Sequence, residues 1–519
     1  MKPKSLFFFV VLNLISLPLW SSENLFLSPQ KDYRQRAGDQ VAGQIRLIKD
    51  EKAFPRLKKY NGYTESCQYK SSESHLPIEK LFLGDKYDMM TCAQPTGDIA
   101  VLTEPEDGIL SKLEILLGQK PSLDLIKNQN PYVELDFSKA PKLDAIFVST
   151  LFYRKDFTGM LLARALKFHA ARGTLINVIG TGYMHNDNAD DLLNELRLSG
   201  GNVRVQDYKY RGEKVNLQSL RVLTNYLRNM HVKLFVTLSA AEPQHNYVIV
   251  GGGNVHEGFV FGTKPDLSTY PELDQAGDGP WEFWNDLEIK NQSQALAETV
   301  YGHLTGLWNR TRKGQKVDAV LNRGQAPSIS GDEVLNAQAP MMRHFMSVPF
   351  SDDRALETLF VDMLDRAQKT VQLSSPCLRP TNKIMNAPDR GIERGVNVTI
   401  QTRIDLSGDT ASWLYEEANK AAINALFDKV TIYEWTEQSI LHTKLLIVDE
   451  SVAFLGSVNL SWRSFIQDVE SGFLIHNPKF VGDLVQLLKG YNARSHKIGS
   501  EQKRRFWAGV VMSMFQNQV

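Results

Sequence analysis

Cysteine is scarce in this chain, which contains three cysteines among 519 residues. No Cys/His spacing matches a metal site, and no glycine-rich loop is typical of nucleotide binding. We therefore expect the chemistry to need no metal and no other cofactor. Cys67 and Cys92 both lie in the polar N-terminal region. An oxidising compartment would permit a disulfide between them.

The chain also lacks an excess of charge of either sign. It has 59 basic and 59 acidic residues, so its formal net charge is zero. A protein that coats nucleic acid is expected to be strongly basic. The balance makes nucleic acid the less favoured partner, although it leaves room for a locally basic cleft. Hydrophobic content of 42% and the length of the chain predict a globular protein of two or three domains.

Long hydrophobic runs are missing after the N-terminus. Residues 1–4 are basic, residues 6–19 are apolar, and Ser21 and Ser22 are small residues before an acidic one. These are the three parts of a secretory signal peptide, which we assign to residues 1–22. The alternative is an uncleaved anchor, but the run is short for a membrane span. We expect a secreted or periplasmic protein.

The most informative stretch contains His442 and Lys444, which stand two residues apart. In an extended strand such side chains project from the same face. Two apolar runs follow, and the second ends in Gly-Ser-Val-Asn. An imidazole, a cation and neutral hydrogen-bonding groups suit a phosphodiester, because they can attack phosphorus and stabilise its oxygens. The further polar members of this motif are Asp449, Ser457, Asn459 and Glu470.

A second copy of the motif lies upstream. His231 and Lys233 precede an apolar strand, a polar turn and a second apolar strand. Residues 251–253 are then three glycines, followed by Asn254 and Glu257. His245 is an alternative histidine for this copy, but a tyrosine replaces its lysine and it leaves no room for two strands. We therefore choose His231.

The two copies resemble the HxKxxxxD and GSxN signature of the phospholipase D superfamily, in particular bacterial phospholipase D and cardiolipin synthase-like proteins. The resemblance implies a catalytic site at the interface of two repeats. It further implies that His231 attacks phosphorus and His442 acts as acid and base. The lysines and asparagines would bind the phosphoryl oxygens. Three carboxylates would orient the histidines: Asp449, Glu257 and Glu470.

Repetition extends beyond the motifs, because strands at 144–149, 172–178 and 202–208 have counterparts at 369–374, 394–400 and 429–435. Strands alternating with helical segments predict an α/β fold of two pseudo-symmetric units with largely parallel sheets. The predicted segments are an N-terminal extension (23–130) packed on the first repeat, repeat 1 (131–320), a linker (321–340), repeat 2 (341–495) and a C-terminal tail (496–519). The tail is either a packed helix or a peripheral membrane contact, since basic residues there adjoin aromatic ones.

Several alternatives stay open at this point. Leu238 replaces the aspartate of the upstream motif, and Glu242 is a candidate substitute. The substrate is a phospholipid or another phosphodiester, and either water or an alcohol accepts the phosphoryl group. A secreted metal-independent nuclease is one rival. A binding protein with a decayed first site is another, because of Leu238.

Overall fold

The computed structural model describes ten stretches of the chain, all within one compact unit, Gly62–Val519. They are residues 69–87, 90–181, 184, 187–200, 202–208, 229–275, 281–310, 330–348, 354–405 and 412–505. The predicted signal peptide, Cys67, most of the predicted linker and the tail from residue 506 lie outside them. Cys92 is in a disulfide, and Cys377 is a free thiol.

A seven-stranded sheet forms the first repeat. Its strands are short and mostly apolar, and the central ones are buried along their whole length. From edge to edge they are β2 (Ile99–Leu102), β9 (Glu288–Gln292), β7 (Tyr247–Gly251), β6 (Leu234–Leu238), β3 (Ala145–Ser149), β4 (Leu175–Gly180) and β5 (Val203–Asp207).

A nine-stranded sheet forms the second repeat, and its central seven strands follow the same order as the first sheet. From edge to edge they are β1 (Gln94–Pro95), β10 (Met341–Ser347), β19 (Glu470–His476), β17 (Val452–Gly456), β16 (Leu445–Val448), β11 (Thr370–Ser374), β13 (Asn397–Thr402), β14 (Thr431–Trp435) and β20 (Ser495–Lys497). Two short pairs complete the strands: β12 (Leu378–Arg379) with β18 (Leu460–Ser461), and β15 (Ile440–Leu441) with β8 (Trp284–Asn285). The predicted pair of α/β repeats is confirmed.

Both sheets are mixed, so the prediction of largely parallel sheets was wrong. Only β3–β4–β5 and β11–β13–β14 pair in parallel, and the remaining pairs in the two sheets are antiparallel. The reason is that the two strands that follow each HxK pair form a hairpin, β6–β7 or β16–β17, which reverses the chain direction.

The N-terminal extension belongs to both repeats rather than packing on the first. Strand β1 and the helix at Pro77–Leu83 lie against the second sheet, whereas β2 is the edge strand of the first sheet. Strand β2 occupies the place that β10 occupies in the other repeat. The first repeat therefore begins before residue 131, and its opening strand was assigned too late in the sequence.

Helices cover the sheets. They are α1 (Pro77–Leu83), α2 (Asp107–Leu117), α3 (Asp124–Lys127), α4 (Phe157–Ala171), α5 (Asp187–Leu198), α6 (Gln294–Arg310), α7 (Gly331–Leu335), α8 (Ala355–Asp365), α9 (Asn382–Met385), α10 (Ala387–Glu393), α11 (Ser412–Leu426), α12 (Trp462–Ile466) and α13 (Pro478–Ala493). Two 3₁₀ turns occur at Pro243–His245 and Glu257–Phe259. Among the helices described, none is long and apolar enough to cross a bilayer.

Candidate active site

Each predicted histidine is delivered by backbone that pairs with the other repeat. The amide of His442 donates to the carbonyl of Asn285 over 2.8 Å, at the end of the β15–β8 pair. The amide of His231 donates to the carbonyl of Val469, also over 2.8 Å. One short strand pair and one isolated parallel bridge, Met230 with Val469, thus join the repeats, and each histidine directly follows one of them.

The residue after each of these carbonyls supplies a carboxylate to the same histidine. The Nδ1 of His442 lies 2.7 Å from an oxygen of Asp286, and the Nδ1 of His231 lies 3.0 Å from both oxygens of Glu470. Each histidine is therefore held by a carboxylate of the opposite repeat. With Nδ1 engaged in this way, Nε2 is the ring nitrogen left to face a substrate.

Asp286 was not assigned a role from the sequence, and Glu257 was given that role instead. Asp286 and Glu470 each lie two residues before the strand partner of a motif glycine, Gly251 or Gly456. They are therefore structural equivalents. Asp286 lies just before β9, which pairs with β7, the strand that ends in the motif glycines. Predicting that β7 and β9 pair would have identified Asp286.

Glu257 lies beside the N-terminus of helix α4 rather than beside either histidine ring. Its carboxylate accepts from the amide of Phe157 over 3.4 Å, and its own amide donates to Asp156. Burial raises the pKa of Glu257 to about 8, and the nearby carboxyl of Asp156 adds to the effect. The predicted role of Glu257 in orienting a histidine was wrong.

Asp449 also lies away from the histidines, at the far end of β16. Four residues of extended strand separate it from Lys444, which corresponds to roughly 13 Å or more. Its carboxylate accepts from the amides of Gln368, Lys369 and Thr370 over 2.7–3.1 Å. Asp449 therefore fixes the start of β11, and its predicted contact with His442 is wrong.

We expect Asp449→Asn to lower the free energy of unfolding by about 1–2 kcal/mol, because a charged acceptor of backbone amides is lost. Asparagine tolerates the left-handed conformation of this residue (φ 53°). The rate of turnover should stay near that of the wild type. Urea unfolding and initial-rate assays would measure both effects, and a large fall in kcat with unchanged stability would contradict this role.

Leu238 stands at the equivalent place in the first repeat, where the turn is held in another way. The carboxylate of Asp144, on the neighbouring strand, accepts from the amide of Ala240, and Ser239 Oγ donates to the carbonyl of Lys142 over 2.8 Å. Glu242 pairs with His245 in this turn (3.5 Å) and does not reach the site. The missing aspartate therefore reflects a different turn, and it is no sign of a decayed site.

Glycine is needed upstream because the carboxylate of Asp286 lies against the backbone. A Cβ at Gly252 would stand 2.4 Å from Asp286 Oδ2. Ser457 occupies the equivalent place in repeat 2, where its hydroxyl donates to Glu470. Glu470 also accepts from Ser464 Oγ over 2.6 Å. The shorter side chain of Asp286 beside Gly252 and the longer one of Glu470 beside Ser457 therefore occupy corresponding places in the two repeats.

Both motif lysines are buried beside the histidines. Lys233 Nζ donates to the carbonyl of His231 over 2.9 Å, and Lys444 Nζ donates to that of His442. Burial lowers the pKa of Lys233 to about 7 and that of Lys444 to about 8. Each lysine also lowers the pKa of the histidine in the opposite motif. The four groups thus form one electrostatic unit.

The histidines are held neutral when no anion is bound. Burial, followed by Lys444, lowers the pKa of His442 to about 3, although Asp286 opposes this. Burial and Lys233 hold the pKa of His231 well below its ordinary value.

The two carboxyls differ in charge state. Burial opposes ionisation of Asp286, but His442 and Lys444 bring its pKa below the ordinary value. Burial raises the pKa of Glu470 to about 7, despite Lys233 and two serine hydroxyls. Asp286 is therefore the carboxylate that stays ionised at neutral pH.

The motif asparagines lie in loops that hydrogen bonds fix in place, and Asn254 lines one cavity with Lys233. Asn254 Oδ1 accepts from the amide of Leu151 over 3.1 Å and from the hydroxyl of Thr150 over 3.2 Å, so its amide NH₂ is left for another acceptor. The backbone N–H of Asn459 donates to Ser464 Oγ over 3.2 Å. Because Ser464 also binds Glu470, the second loop is tied to the carboxylate that holds His231.

The repeat 1 side of the site opens into a cavity that is partly apolar. Lys233, Asn254 and Asp286 line it, together with the rings of Phe259 and Trp284. Both rings pack against His442, at centroid distances of 5.3 and 5.0 Å. The apolar wall comes from the extension, the first sheet and helix α4: Leu102, Ile109, Val148, Leu162, Phe235 and Ile249.

Three further polar residues were candidates for a place in the site: His256, His245 and Cys377. His256 lines the same cavity, and its Nδ1 lies 2.7 Å from Asp156. His245 is in the distant turn. Cys377 lies close enough to Lys444 for each to act on the other's charge. Among the residues that the structure describes, no group of three or more His, Cys, Asp or Glu side chains could hold a metal ion.

Two repeats that face each other through paired HxK motifs define a phospholipase D-like protein. Residues 360–491 match the family described as "Cardiolipin synthase, PLD-like domain". The predicted resemblance to the phospholipase D superfamily is thereby confirmed.

Known proteins similar to this chain agree with that assignment. Cardiolipin synthase B of Shigella flexneri is 24% identical over 396 residues, which cover 74% of this chain and 84% of that protein. Cardiolipin synthase A of Serratia proteamaculans is 30% identical over 152 residues, but the match covers only 29% of this chain and 30% of that protein. The crystal structure of phosphatidylserine synthase from Haemophilus influenzae Rd KW20 has a TM-score of 0.52 at 13% identity, over 78% of this chain and 89% of that chain. At this identity the likeness shows the fold alone.

Proposed function

We propose that this chain is an exported phosphodiesterase of the phospholipase D type, which cleaves or transfers a phosphatidyl group through a phosphohistidine intermediate. The observation that carries the proposal is the crossed arrangement at the repeat interface. Two histidines each present a free Nε2, and each is held by a carboxylate of the other repeat. A two-step displacement at phosphorus needs one nucleophile and one proton carrier, and this site contains one group for each role.

In the first step, neutral His231 attacks phosphorus with Nε2, and the bond from phosphorus to the leaving alcohol breaks. His442 gives its proton to that alcohol oxygen as the bond breaks. A bound phosphodiester carries a negative charge, which favours the protonated form of His442. The ionised Asp286 stabilises the resulting imidazolium. This difference between the two carboxyls supports His231 as nucleophile and His442 as acid.

In the second step, His442 removes a proton from water or from an acceptor alcohol. The oxygen of that molecule attacks the phosphohistidine, and His231 leaves as neutral imidazole. Lys233, Lys444, Asn254 and Asn459 stabilise the charge on the non-bridging oxygens in both steps. Because the lysines are already buried beside the histidines, little reorganisation is needed when charge develops.

A phospholipid is favoured as substrate by the surroundings of the site. The apolar side chains of Leu102, Ile109 and Leu162 line the same cavity as Lys233 and Asn254. Such a wall suits the apolar part of a phospholipid. A nuclease would be expected to carry a basic groove, and the formal net charge of the chain is zero. The disulfide at Cys92 supports export, since disulfides persist in oxidising compartments. Cell fractionation that recovers the protein only in the cytoplasm would contradict export.

The mature protein should act on phosphatidylglycerol or phosphatidylcholine in excess EDTA, because lysines and asparagines provide the positive charge and hydrogen bonds at phosphorus. The assay is release of the head-group alcohol or appearance of a new phospholipid, with single-stranded DNA as the alternative substrate. Cleavage of DNA but not of lipid would favour the nuclease. Loss of turnover on chelation, with recovery on added zinc or calcium, would contradict the metal-free mechanism.

A further inference from the structure

A second cavity lies in repeat 2, outside the paired motifs. Its volume is about 420 Å³, and it is bounded by helices α8, α9, α11 and α12. Arg379 lines it from the β12–β18 pair, directly opposite Ser461. Ser461 is two residues beyond Asn459, so the cavity backs onto the loop that carries a predicted phosphoryl-binding asparagine.

Positive charge is in excess among the lining residues. Three cations, Arg354, Arg379 and Lys383, face one carboxylate, Glu357. Lys383 Nζ lies 3.4 Å from Glu357, and Arg354 lies 3.9 Å from it, so a single buried acid serves two bases. Arg379 has no carboxylate partner among the ion pairs of the described residues. Burial and the positive charge of Arg504 both lower the pKa of its guanidinium.

Three buried hydrogen-bonding atoms in this lining lack hydrogen-bond partners in the part of the chain that the structure describes, and one of them is the acceptor Oε2 of Glu357, which has only the longer ion pairs with Lys383 and Arg354. Arg379 Nη1 and Thr381 Oγ1 are buried and have no hydrogen-bond partner among the described residues, and Thr381 is only 7% exposed. A buried donor without an acceptor destabilises a folded protein. Arg354 has a left-handed backbone (φ 62°), a strained conformation that clusters at ligand sites. Within the described residues, Arg379 has a donor without an acceptor, and the lining has more cations than carboxylates. These features indicate that the cavity binds an anion.

Another part of the cavity lining forms an apolar wall. Four alanines of α11 follow one face of the helix, and the ring of Trp462 and the side chain of Ile466 complete that wall. The alanines are Ala418, Ala421, Ala422 and Ala425. A free inorganic anion would leave this wall without contact, whereas an anion attached to an apolar group would cover it.

We propose that this cavity binds the phosphate group of an amphiphile, with the guanidinium of Arg379 and the ammonium of Lys383 on the phosphate and the alanine–tryptophan wall against the apolar part. Arginine suits phosphate because its fork donates two parallel hydrogen bonds. The site is distinct from the HxK pair, and its occupancy does not depend on turnover.

The test is calorimetric titration of His231→Ala, a variant in which we expect no turnover, with dihexanoyl phosphatidylglycerol below its micelle concentration. We expect binding at this cavity to weaken about tenfold when Arg379→Gln or Lys383→Gln is added, because a charge-assisted contact is lost. Glu357→Gln should strengthen it, since a competing carboxylate is removed. The matched control is Lys489→Gln, an exposed lysine of α13 outside the cavity.

Lys383 is largely exposed, so its replacement should not prevent folding even if that of Arg379 does. Identical titrations for Lys383→Gln and Lys489→Gln would overturn the proposal. Parallel titrations with glycerol 3-phosphate and inorganic phosphate distinguish the sources of the anion. If both bind more weakly than dihexanoyl phosphatidylglycerol, the ligand is an amphiphile. If inorganic phosphate binds as tightly as the lipid, the proposed role of the apolar wall is overturned.

Discussion

Replacing either His231 or His442 by alanine should reduce turnover by at least 10²–10⁴-fold, since proton transfer alone contributes that much and a nucleophile contributes further. The two histidines lie on opposite sides of one interface, and each is locked by a carboxylate. Neither can replace the other, because one must bond to phosphorus while the other carries the proton. Initial rates on a phospholipid substrate measure the effect.

The control is His245→Ala. His245 is the alternative histidine of the upstream motif, and the structure has it in a turn where it pairs with Glu242. This variant should keep most of the wild-type rate. An inactive His245→Ala together with an active His231→Ala would show that the upstream motif has been assigned to the wrong histidine.

Replacing Asp286 by asparagine should have the second-largest effect, on the order of 10²–10⁴ in kcat, by analogy with the loss of the carboxylate from a serine-protease triad. Asparagine keeps the shape but removes the charge that favours protonated His442. Turnover needs that proton, so activity is present below the pKa of His442 in the complex and is lost as pH rises through it. Without Asp286 this pKa falls, and the basic limb of the pH profile should move to lower pH.

Glu257→Gln is the matched control for Asp286→Asn, because Glu257 is also a buried acid of repeat 1 but binds the start of α4. Its kcat and pH profile should match those of the wild type. Equal losses for the two variants would mean that burial of a carboxyl, rather than the contact with His442, determines the effect. If the basic limb of the pH profile does not move in Asp286→Asn, Asp286 does not set the pKa of His442, and the acid–base role of the Asp286–His442 pair is excluded.

The HxK pairs and the fold class could be predicted from the sequence because their signals are local. Side chains at i and i+2 share a face of a strand, so His442 and Lys444 had to converge wherever the strand lay. Apolar runs of four or five residues likewise predicted β6, β7, β16 and β17. The same reasoning identified His231 in place of His245, because only the former leaves room for two strands before the glycines.

Glu470 was predicted as a supporting carboxylate, and it does hold a histidine, His231. The pairing across the repeats and the role of Asp286 could not be predicted in this way. Asp286 precedes His442 by 156 residues, and Glu470 follows His231 by 239. Spacing within one motif therefore favoured Asp449 and Glu257, which in the structure bind backbone amides elsewhere. The edge strand β2 was missed for a similar reason, since its partner β9 lies almost 190 residues further along the chain.

The most direct test of the central claim is to trap the intermediate in His442→Ala with bis(4-nitrophenyl) phosphate. Its leaving group departs without a proton, so His231 can still attack, whereas the base that resolves the intermediate is missing. Mass spectrometry of peptides kept at alkaline pH should find an acid-labile phosphoryl adduct on His231, formed with a stoichiometric burst of 4-nitrophenol. A burst with the adduct on another residue, or steady turnover with no covalent adduct, would contradict a phosphohistidine mechanism at the repeat interface.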